Sequence, residues 1–188
     1  MSKGDFVGII ADTHDNRGAI ANAVELFNQR GTGMVFHAGD FIAPFTAIDF
    51  SKLQCKMMMV FGNNDGEKIG LYHAFSKLGE IVEGPKTCEY LGKRFILMHE
   101  PTCMDELSAS HQADVIIYGH THEIDIRKGE TLIINPGEGG GWDRDGSSDR
   151  RDPAEGEDSR RRQGSRRGPS GRREGAGGAP DAGGSGAE

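Results

Sequence analysis

The sequence has little of three features that mark specialised classes of protein. It has three cysteines among 188 residues and no Cys-x-x-Cys pair, so a disulfide framework is not indicated. No apolar run approaches the roughly 20 residues that a membrane span needs, and no signal-peptide pattern opens the chain. We therefore expect a soluble, cytoplasmic protein with no membrane partner.

Basic residues are also scarce relative to acidic ones. The chain carries 22 Lys and Arg against 29 Asp and Glu, a formal net charge of −7. A surface that coats nucleic acid needs clustered basic side chains, so we do not expect nucleic acid as a partner except as a nucleotide-like substrate. The acidic balance still allows a small phosphate ester whose charge is met by metal ions.

The carboxyl-terminal part of the chain lacks the residues from which a core is built. Residues 143–188 contain no Val, Ile, Leu, Met, Phe, Tyr or Trp, and their ten acidic residues balance ten arginines. Such a segment buries almost nothing, so we predict one domain at 1–142 and a disordered tail at 143–188. The alternative is that the tail results from reading a GC-rich gene in a shifted frame, in which case the domain lacks its final strands.

Apolar runs and helical periodicity alternate along the domain. In the first half we predict strands at 5–11, 33–38 and 55–62, and helices at 16–30, 43–52 and 68–78. This βαβαβα order is typical of a parallel sheet covered on both faces. In the second half we predict one helix at 103–112, hairpin turns at 92–93 and 128–130, and strands at 80–82, 86–91, 94–100, 114–120, 123–128 and 131–137. We predict an α/β fold in which a mixed second sheet packs on the first, with helices outside both.

Seven metal-capable side chains directly follow five of the predicted strands. They are Asp12, His14, Asp40, Asn63, His99, His120 and His122. Open α/β sheets bind ligands at the carboxyl ends of their strands, so the seven should converge on one rim. Each alone has a plainer explanation, such as a helix start or a turn, but together they combine imidazole and carboxylate groups. That combination suits Mn, Zn, Fe, Ni or Co, and seven ligands fit two metals that share a bridging carboxylate.

The motifs that carry these residues resemble the five-part signature of the calcineurin-like metallophosphoesterases. In chain order they are D-T-H at 12–14, G-D at 39–40, G-N-N-D at 62–65, the lone His99 and G-H-T-H at 119–122. The short chain and the N-P-G at 135–137 are similar to the small bacterial and archaeal phosphodiesterase branch of that family. The resemblance covers residues 5–142 and implies an αββα two-sheet sandwich with a dinuclear metal centre at its rim.

The resemblance also implies a division of the seven ligands. Asp12, His14 and His122 hold the first metal. Asn63, His99 and His120 hold the second, and Asp40 bridges the two. The ions are divalent transition metals, with Mn favoured over Ni, Zn, Fe and Co.

The histidine spacing agrees with this division. On extended backbone, His120 and His122 point to the same side, so each can serve a different metal of one centre. Gly119 should let the backbone come close to that centre. We interpret the remaining histidines as packing or surface residues: His37, His73 and His111.

The function implied by the resemblance is hydrolysis of phosphodiesters by attack of a metal-bridging hydroxide on phosphorus. The predicted catalytic residues are Asp40, Asn63, Asn64 and His99. Many family members have His where this chain has Asn64, and an amide cannot act as a general acid. This difference favours diesters with fairly acidic leaving groups. Glu100 and Pro101 stand where the family commonly has His-Gly, and Glu100 adds negative charge near the rim.

Other functions fit parts of the sequence. One is a non-catalytic metal-binding scaffold, because the same fold serves in a retromer subunit as a binding module with a damaged metal site. Here no predicted ligand is missing. Another is a phosphomonoesterase. A third places the function in the tail, whose arginine clusters would bind nucleic acid or an acidic partner. The equal number of acidic residues in the tail argues against this. The sequence is also compatible with a homo-oligomer.

Overall fold

The computed structural model describes residues 4–140. The predicted domain end at 142 and the predicted tail at 143–188 lie outside these residues. Within 4–140 the chain forms two β-sheets and four α-helices. None of the helices in this range is long and apolar enough to cross a membrane.

The first half forms a four-stranded sheet in which all neighbouring strands are parallel. Its strands, in spatial order, are β1 (Val7–Ile10), β2 (Met34–His37), β3 (Lys56–Val60) and β4 (Gly79–Val82). The helices between them are α1 (Arg17–Gln29), α2 (Ala47–Phe50), which follows a 3₁₀ turn at Pro44–Thr46, and α3 (Lys68–Phe75). The prediction that the run at 80–82 joins the second sheet is wrong, because α3 returns the chain to lie parallel to β3.

The second half forms a five-stranded mixed sheet, as predicted. Its strands are β5 (Lys86–Tyr90), β6 (Lys93–Leu97), β7 (Val115–Ile117), β8 (Ile124–Arg127) and β9 (Leu132–Pro136), and α4 (Met104–Ala109) connects β6 to β7. The spatial order is β5-β6-β7-β9-β8, with parallel pairs in the middle and an antiparallel pair at each edge. The turn between β5 and β6 uses Leu91 and Gly92, both with positive φ, one residue earlier than predicted.

Opposite faces of each strand build different layers of the core. On β2, Val35 packs toward the helices, whereas Phe36 packs between the sheets with its ring centroid 4.7 Å from that of Phe95. Met104 and Leu107, both in α4, pack on the outer face of the second sheet. The resulting order of helix, sheet, sheet and helix confirms the predicted αββα sandwich.

Helix α1 shows how local sequence positions the loop before it. Ile20 and Val24 are buried one turn apart, as the apolar spacing predicts. The Oδ1 atom of Asn16 accepts a hydrogen bond from the Ala19 N–H at 3.0 Å and so caps the amino terminus of the helix. Because this cap fixes where the helix begins, it also fixes the end of the loop that follows β1.

The carboxyl ends of strands from both sheets meet at one rim. The Asp12 N–H donates to the Gly39 carbonyl at 3.0 Å, which joins the loops after β1 and β2. The Gly119 N–H donates to the His99 carbonyl at 3.1 Å, which joins the loops after β6 and β7. The His120 N–H donates to both carboxylate oxygens of Asp12 at 3.1 Å, which joins the loops of the two sheets and confirms the predicted convergence.

Candidate metal centre

The structure brings all seven predicted ligands together at this rim. They fall into two groups on either side of Asp40. The first donor group consists of Asp12, His14 and His122, and the second consists of Asn63, His99 and His120. This is the same division that the family resemblance implies, although the assignment of each residue to a metal remains a prediction.

The first donor group surrounds one point together with Asp40. The His14 Nε2 atom lies 3.6 Å from Asp40 Oδ2 and 4.0 Å from Asp12 Oδ1, and the His122 Nε2 atom lies 3.6 Å from Asp12 Oδ1. One donor atom from each of the four residues lies within 4.8 Å of the others. Among the described residues, His14 Nε2 is the one buried side-chain nitrogen or oxygen that has no hydrogen-bond partner. Such an arrangement fits a cation.

The second donor group is centred on the amide oxygen of Asn63. Its Oδ1 atom lies 2.7 Å from His99 Nε2 and 2.9 Å from His120 Nδ1. His99 Nε2 also lies 3.6 Å from Asp40 Oδ1. Asp40 therefore presents one carboxylate oxygen to each group, the arrangement that a bridging ligand requires.

The hydrogen bonding of His99 provides an independent test of whether this group suits a metal. Its Nδ1 atom lies 2.7 Å from the Ala38 carbonyl, to which it donates its hydrogen. In a neutral ring with this tautomer, the Nε2 atom carries a lone pair that faces Asn63 Oδ1, another acceptor. Two lone pairs at this distance repel each other unless a proton or a cation lies between them. The donor set therefore fits a metal ion.

Burial makes the first donor group costly to charge. Asp12 is fully buried, and this burial raises the pKa of its carboxyl from 3.8 to about 7, with smaller increases from Asp40 and Glu138 and an opposing effect from the His120 N–H. Burial also lowers the pKa of His14, which favours the neutral imidazole that binds metals. A cation between these side chains would compensate the buried negative charge.

Backbone geometry at the site is unusual for residues with side chains. Five of the seven predicted ligands have positive φ: Asp12 at 51°, His14 at 43°, Asp40 at 61°, His120 at 69° and His122 at 59°. The prediction that the last two lie on extended backbone is therefore wrong, although their side chains do reach different donor groups. Left-handed backbone at non-glycine residues costs free energy and is concentrated at functional sites.

Two glycines allow the loops to approach one another closely. A Cβ atom at Gly119 would lie 2.8 Å from Asp12 Oδ2, which confirms the expected close approach of the backbone. A Cβ atom at Gly62 would overlap with the Asp40 carboxylate. Neither position tolerates a side chain without moving a predicted ligand.

Asn64, which is predicted to be catalytic, forms hydrogen bonds with Asp40, the predicted bridging ligand. Its backbone N–H donates to Asp40 Oδ1 at 2.9 Å and its Nδ2 donates to Asp40 Oδ2 at 2.8 Å. Asn64 therefore orients the Asp40 carboxylate, which lies between the two donor groups.

Asp65 supports the site and was not among the predicted residues. It is buried, and burial raises the pKa of its carboxyl. Its two oxygens accept backbone N–H groups from two loops. The donors are Asp40, Phe41, Ile42 and Gly62, at 2.7–3.1 Å. An acidic residue directly after G-N-N is the only sequence sign of this role, and three of its four donors come from residues more than 20 positions away in the chain.

His37 lies beneath the same loops. It is fully buried, as the packing interpretation predicts, and its ring stacks on Phe41 with centroids 3.7 Å apart. Its Nδ1 accepts the Gly39 N–H at 3.2 Å, which leaves Nε2 to donate to Thr13 Oγ1 at 3.2 Å. Because Thr13 and Gly39 adjoin Asp12 and Asp40, this ring ties together the loops that carry both carboxylates.

Glu138 is a second residue that sequence reasoning missed. Its Oε2 atom lies 3.3 Å from His122 Nδ1, on the side of the ring away from Asp12. A carboxylate behind a metal-binding histidine fixes the orientation of the ring and directs the other nitrogen toward the metal. Glu138 directly follows the N-P-G motif, but only the fold shows that it meets His122.

Comparison with known proteins places this geometry among phosphoesterases. A family model described as the calcineurin-like phosphoesterase superfamily domain matches residues 6–149. The chain is 34% identical over 137 residues to the phosphodiesterase MJ0936 of Methanocaldococcus jannaschii, covering 70% of this chain and 82% of that protein. The solved structure of a novel archaeal phosphodiesterase has 33% identity and a TM-score of 0.68, covering 72% of this chain and 86% of that one.

A more distant structure shares the fold alone. Vacuolar protein sorting 29 from Cryptosporidium parvum has 19% identity and a TM-score of 0.55, covering 74% of this chain and 77% of that one. At this level of identity the match carries no information about activity.

Proposed function

The chain belongs to the calcineurin-like phosphoesterase superfamily, and from that premise we propose that it is a dinuclear-metal phosphodiesterase. Hydrolysis of phosphate esters follows from the family and from the phosphodiesterase relative. The finer proposal of two metals is supported by one observation. Two donor groups lie on either side of a single carboxylate, Asp40.

The proposed division of labour assigns a task to each part of the site. The first donor group and Asp40 would hold one divalent ion, and the second donor group and Asp40 would hold the other. Such ions lower the pKa of bound water and neutralise phosphoryl oxygens. Asn63 contributes a neutral oxygen, so the second position keeps more of its positive charge for the substrate.

A diester substrate is supported by the orientation of Asn64. Its amide faces Asp40 and cannot supply a proton to a leaving group. A leaving group that departs without protonation must be a stable anion. We therefore propose diesters with acidic leaving groups as substrates, and poor activity on phosphomonoesters of alkyl alcohols.

The proposal extends to the metal and the cell compartment. Imidazole, carboxylate and amide ligands suit Mn, which we place before Ni, Zn, Fe and Co. The three cysteines are free and lie within the described residues, which is typical of a reducing compartment such as the cytoplasm.

The test uses the full chain after treatment with a chelator. Each divalent metal is added back in turn, and release of p-nitrophenol from bis(p-nitrophenyl) phosphate and from p-nitrophenyl phosphate is followed. Metal content is measured on the same samples. We expect about two ions per chain and turnover of the diester that depends on them. Two bound ions without turnover of either ester would instead favour the scaffold function.

A further inference from the structure

A cavity of about 260 Å³ adjoins the second donor group. We call it the side cavity. Its lining includes Phe61, Asn63, Lys68, Glu83, Met98 and Glu100. Asn63 and His99 belong both to this lining and to the second donor group. A phosphodiester held at the metal centre would therefore lie close enough to reach the side cavity with one of its two arms.

The size of the side cavity limits what that arm can be. Sites for drug-sized ligands have volumes of roughly 300–1,000 Å³, so this cavity holds a group of about one ring or one nucleoside. Part of the lining is apolar, because Phe61 and Met98 contribute to it.

The charges around the side cavity limit the arm further. Among its described lining residues, Lys68 is the one cation, whereas Glu83 and Glu100 are both acidic. Lys68 Nζ lies 2.9 Å from Glu83 Oε1, so these two charges offset each other and Glu100 leaves an excess of one negative charge. The lining side chains therefore offer no net positive charge to a second phosphate on the arm, whereas an uncharged arm needs none.

Lys68 is placed to contact such an arm. Its Nζ lies 5.5 Å from the centroid of the Phe61 ring, which is within range of a cation–π contact. Its ion pair with Glu83 is solvent-exposed on both sides, with side-chain exposures of 45% and 68%. Exposed pairs of this kind contribute little free energy. The ammonium can therefore exchange Glu83 for an acceptor atom of a ligand at little cost.

We propose that the side cavity binds the non-leaving arm of a phosphodiester, an uncharged ring-bearing group with hydrogen-bond acceptors such as a nucleoside, and that Lys68 is its specificity-determining contact. Glu83 is then an internal competitor that occupies Lys68 when the cavity is empty. This inference rests on the proposed phosphodiesterase function, which it extends to the class of substrate.

The test compares two esters that share a p-nitrophenol leaving group. One has a methyl arm, and the other is thymidine 5′-(p-nitrophenyl phosphate). In Lys68→Gln we expect KM for the thymidine ester to rise about tenfold, the effect of losing a hydrogen bond to a charged group, with KM for the methyl ester unchanged. In Glu83→Gln we expect KM for the thymidine ester to fall about twofold, because an exposed competitor is removed.

The ion pair of Lys86 with Glu80 provides matched controls. Lys86 Nζ lies 2.6 Å from Glu80 Oε1, and the two residues belong to β5 and β4. Neither residue lines the side cavity. Lys86→Gln and Glu80→Gln should leave both KM values unchanged. A general loss of stability or of surface charge would affect both pairs, whereas an arm-binding role affects only Lys68 and Glu83, and in opposite directions.

Direct binding separates this proposal from the proposed function. The ligand is the methyl ester of thymidine 5′-phosphate, and its affinity for the metal-loaded chain is measured by calorimetry. If Lys68→Gln weakens this binding while the native chain hydrolyses neither ester, the enzyme function is wrong and the cavity assignment stands. If Lys68→Gln leaves both binding and KM unchanged, the cavity assignment is wrong, whether or not the native chain is active.

Discussion

The two donor groups differ in charge, and that difference sets their expected roles. The first has a carboxylate of its own, the buried Asp12, whereas the second has an amide, Asn63, and two histidines. Both share Asp40. A cation should therefore be held more tightly by the first donor group. The second, with fewer negative ligands and the side cavity beside it, should leave its ion more available to a substrate.

Removing the shared carboxylate should produce the largest effect, because both groups depend on it. In Asp40→Asn we expect metal content to fall from about two ions per chain to one or fewer, and turnover of an activated diester to fall about a thousandfold. Metal analysis and kinetics on the same preparation measure both. Asp49→Asn is the control, since Asp49 is a buried acid that is not one of the predicted ligands. Its Oδ2 atom accepts a hydrogen bond from Arg17 Nε at 2.6 Å. Equal losses in the two variants would contradict a bridging role.

Asp12, the carboxylate that distinguishes the first donor group, should make the stability of the metal-free chain depend on pH. The pKa of this buried carboxyl is about 7 in the folded chain and 3.8 unfolded, so the folded state holds the proton more tightly. The stability of the metal-free chain should therefore fall as pH rises from about 4 to 7, by about 4 kcal/mol from this group alone. Burial lowers the pKa of His14 and His37, so these two groups make stability rise with pH below about 6.5.

The comparison of Asp12→Asn with the native chain isolates the Asp12 contribution, because both chains contain the same histidines. Chemical unfolding in the presence of a chelator should show the variant gaining about 4 kcal/mol relative to the native chain between pH 4 and pH 8. Asp105→Asn, at an exposed position on α4, should show no such gain. A difference between Asp12→Asn and the native chain that does not vary with pH would argue against a buried, protonated carboxyl.

Weakening the support of His122 should affect the first donor group alone. In Glu138→Gln the ring loses its charged partner, so we expect the affinity for the tighter ion to fall by about tenfold to a hundredfold. Calorimetric titration of the metal-free chain measures this. Glu130→Gln is the matched control, because Glu130 pairs with His111 at 2.9 Å on the surface. A lower affinity for the weaker ion alone would reverse our assignment of the two groups.

Giving the second donor group its own carboxylate should reduce the difference between the groups. In Asn63→Asp we expect the weaker ion to bind about tenfold more tightly, because a negative ligand replaces a neutral one. Turnover should fall at the same time, since that ion then offers less positive charge to the substrate. Tighter binding together with faster turnover would contradict the proposal that the neutral amide of Asn63 favours turnover.

The strand-end rule predicted which side chains converge at the rim, but not the residues that support them. Asp12, Asp40 and His99 each follow an apolar run, and the carboxyl ends of strands converge in any α/β sheet. Glu138 and His37 become important only because the fold brings them near His122 and Thr13. A pattern read along one chain does not report such contacts.

Two details of the fold were beyond the sequence for a related reason. The run at 80–82 is only three residues long, and nothing local shows that α3 carries it back to β3. The positive φ angles of His120 and His122 are imposed by their surroundings rather than by their own preference. The spacing of two histidines therefore suggested a strand where the structure has a folded loop.

The hydrogen bonds from the His120 N–H to both oxygens of Asp12 join residues 108 positions apart, one after β1 and one after β7. An ion bound by the first donor group would reinforce the same connection through His122. It would then act as a removable cross-link between the two sheets, closing a loop that includes most of the described chain. Cross-links that close long loops stabilise folded chains most, so the supply of metal would govern the free energy of unfolding as well as the activity.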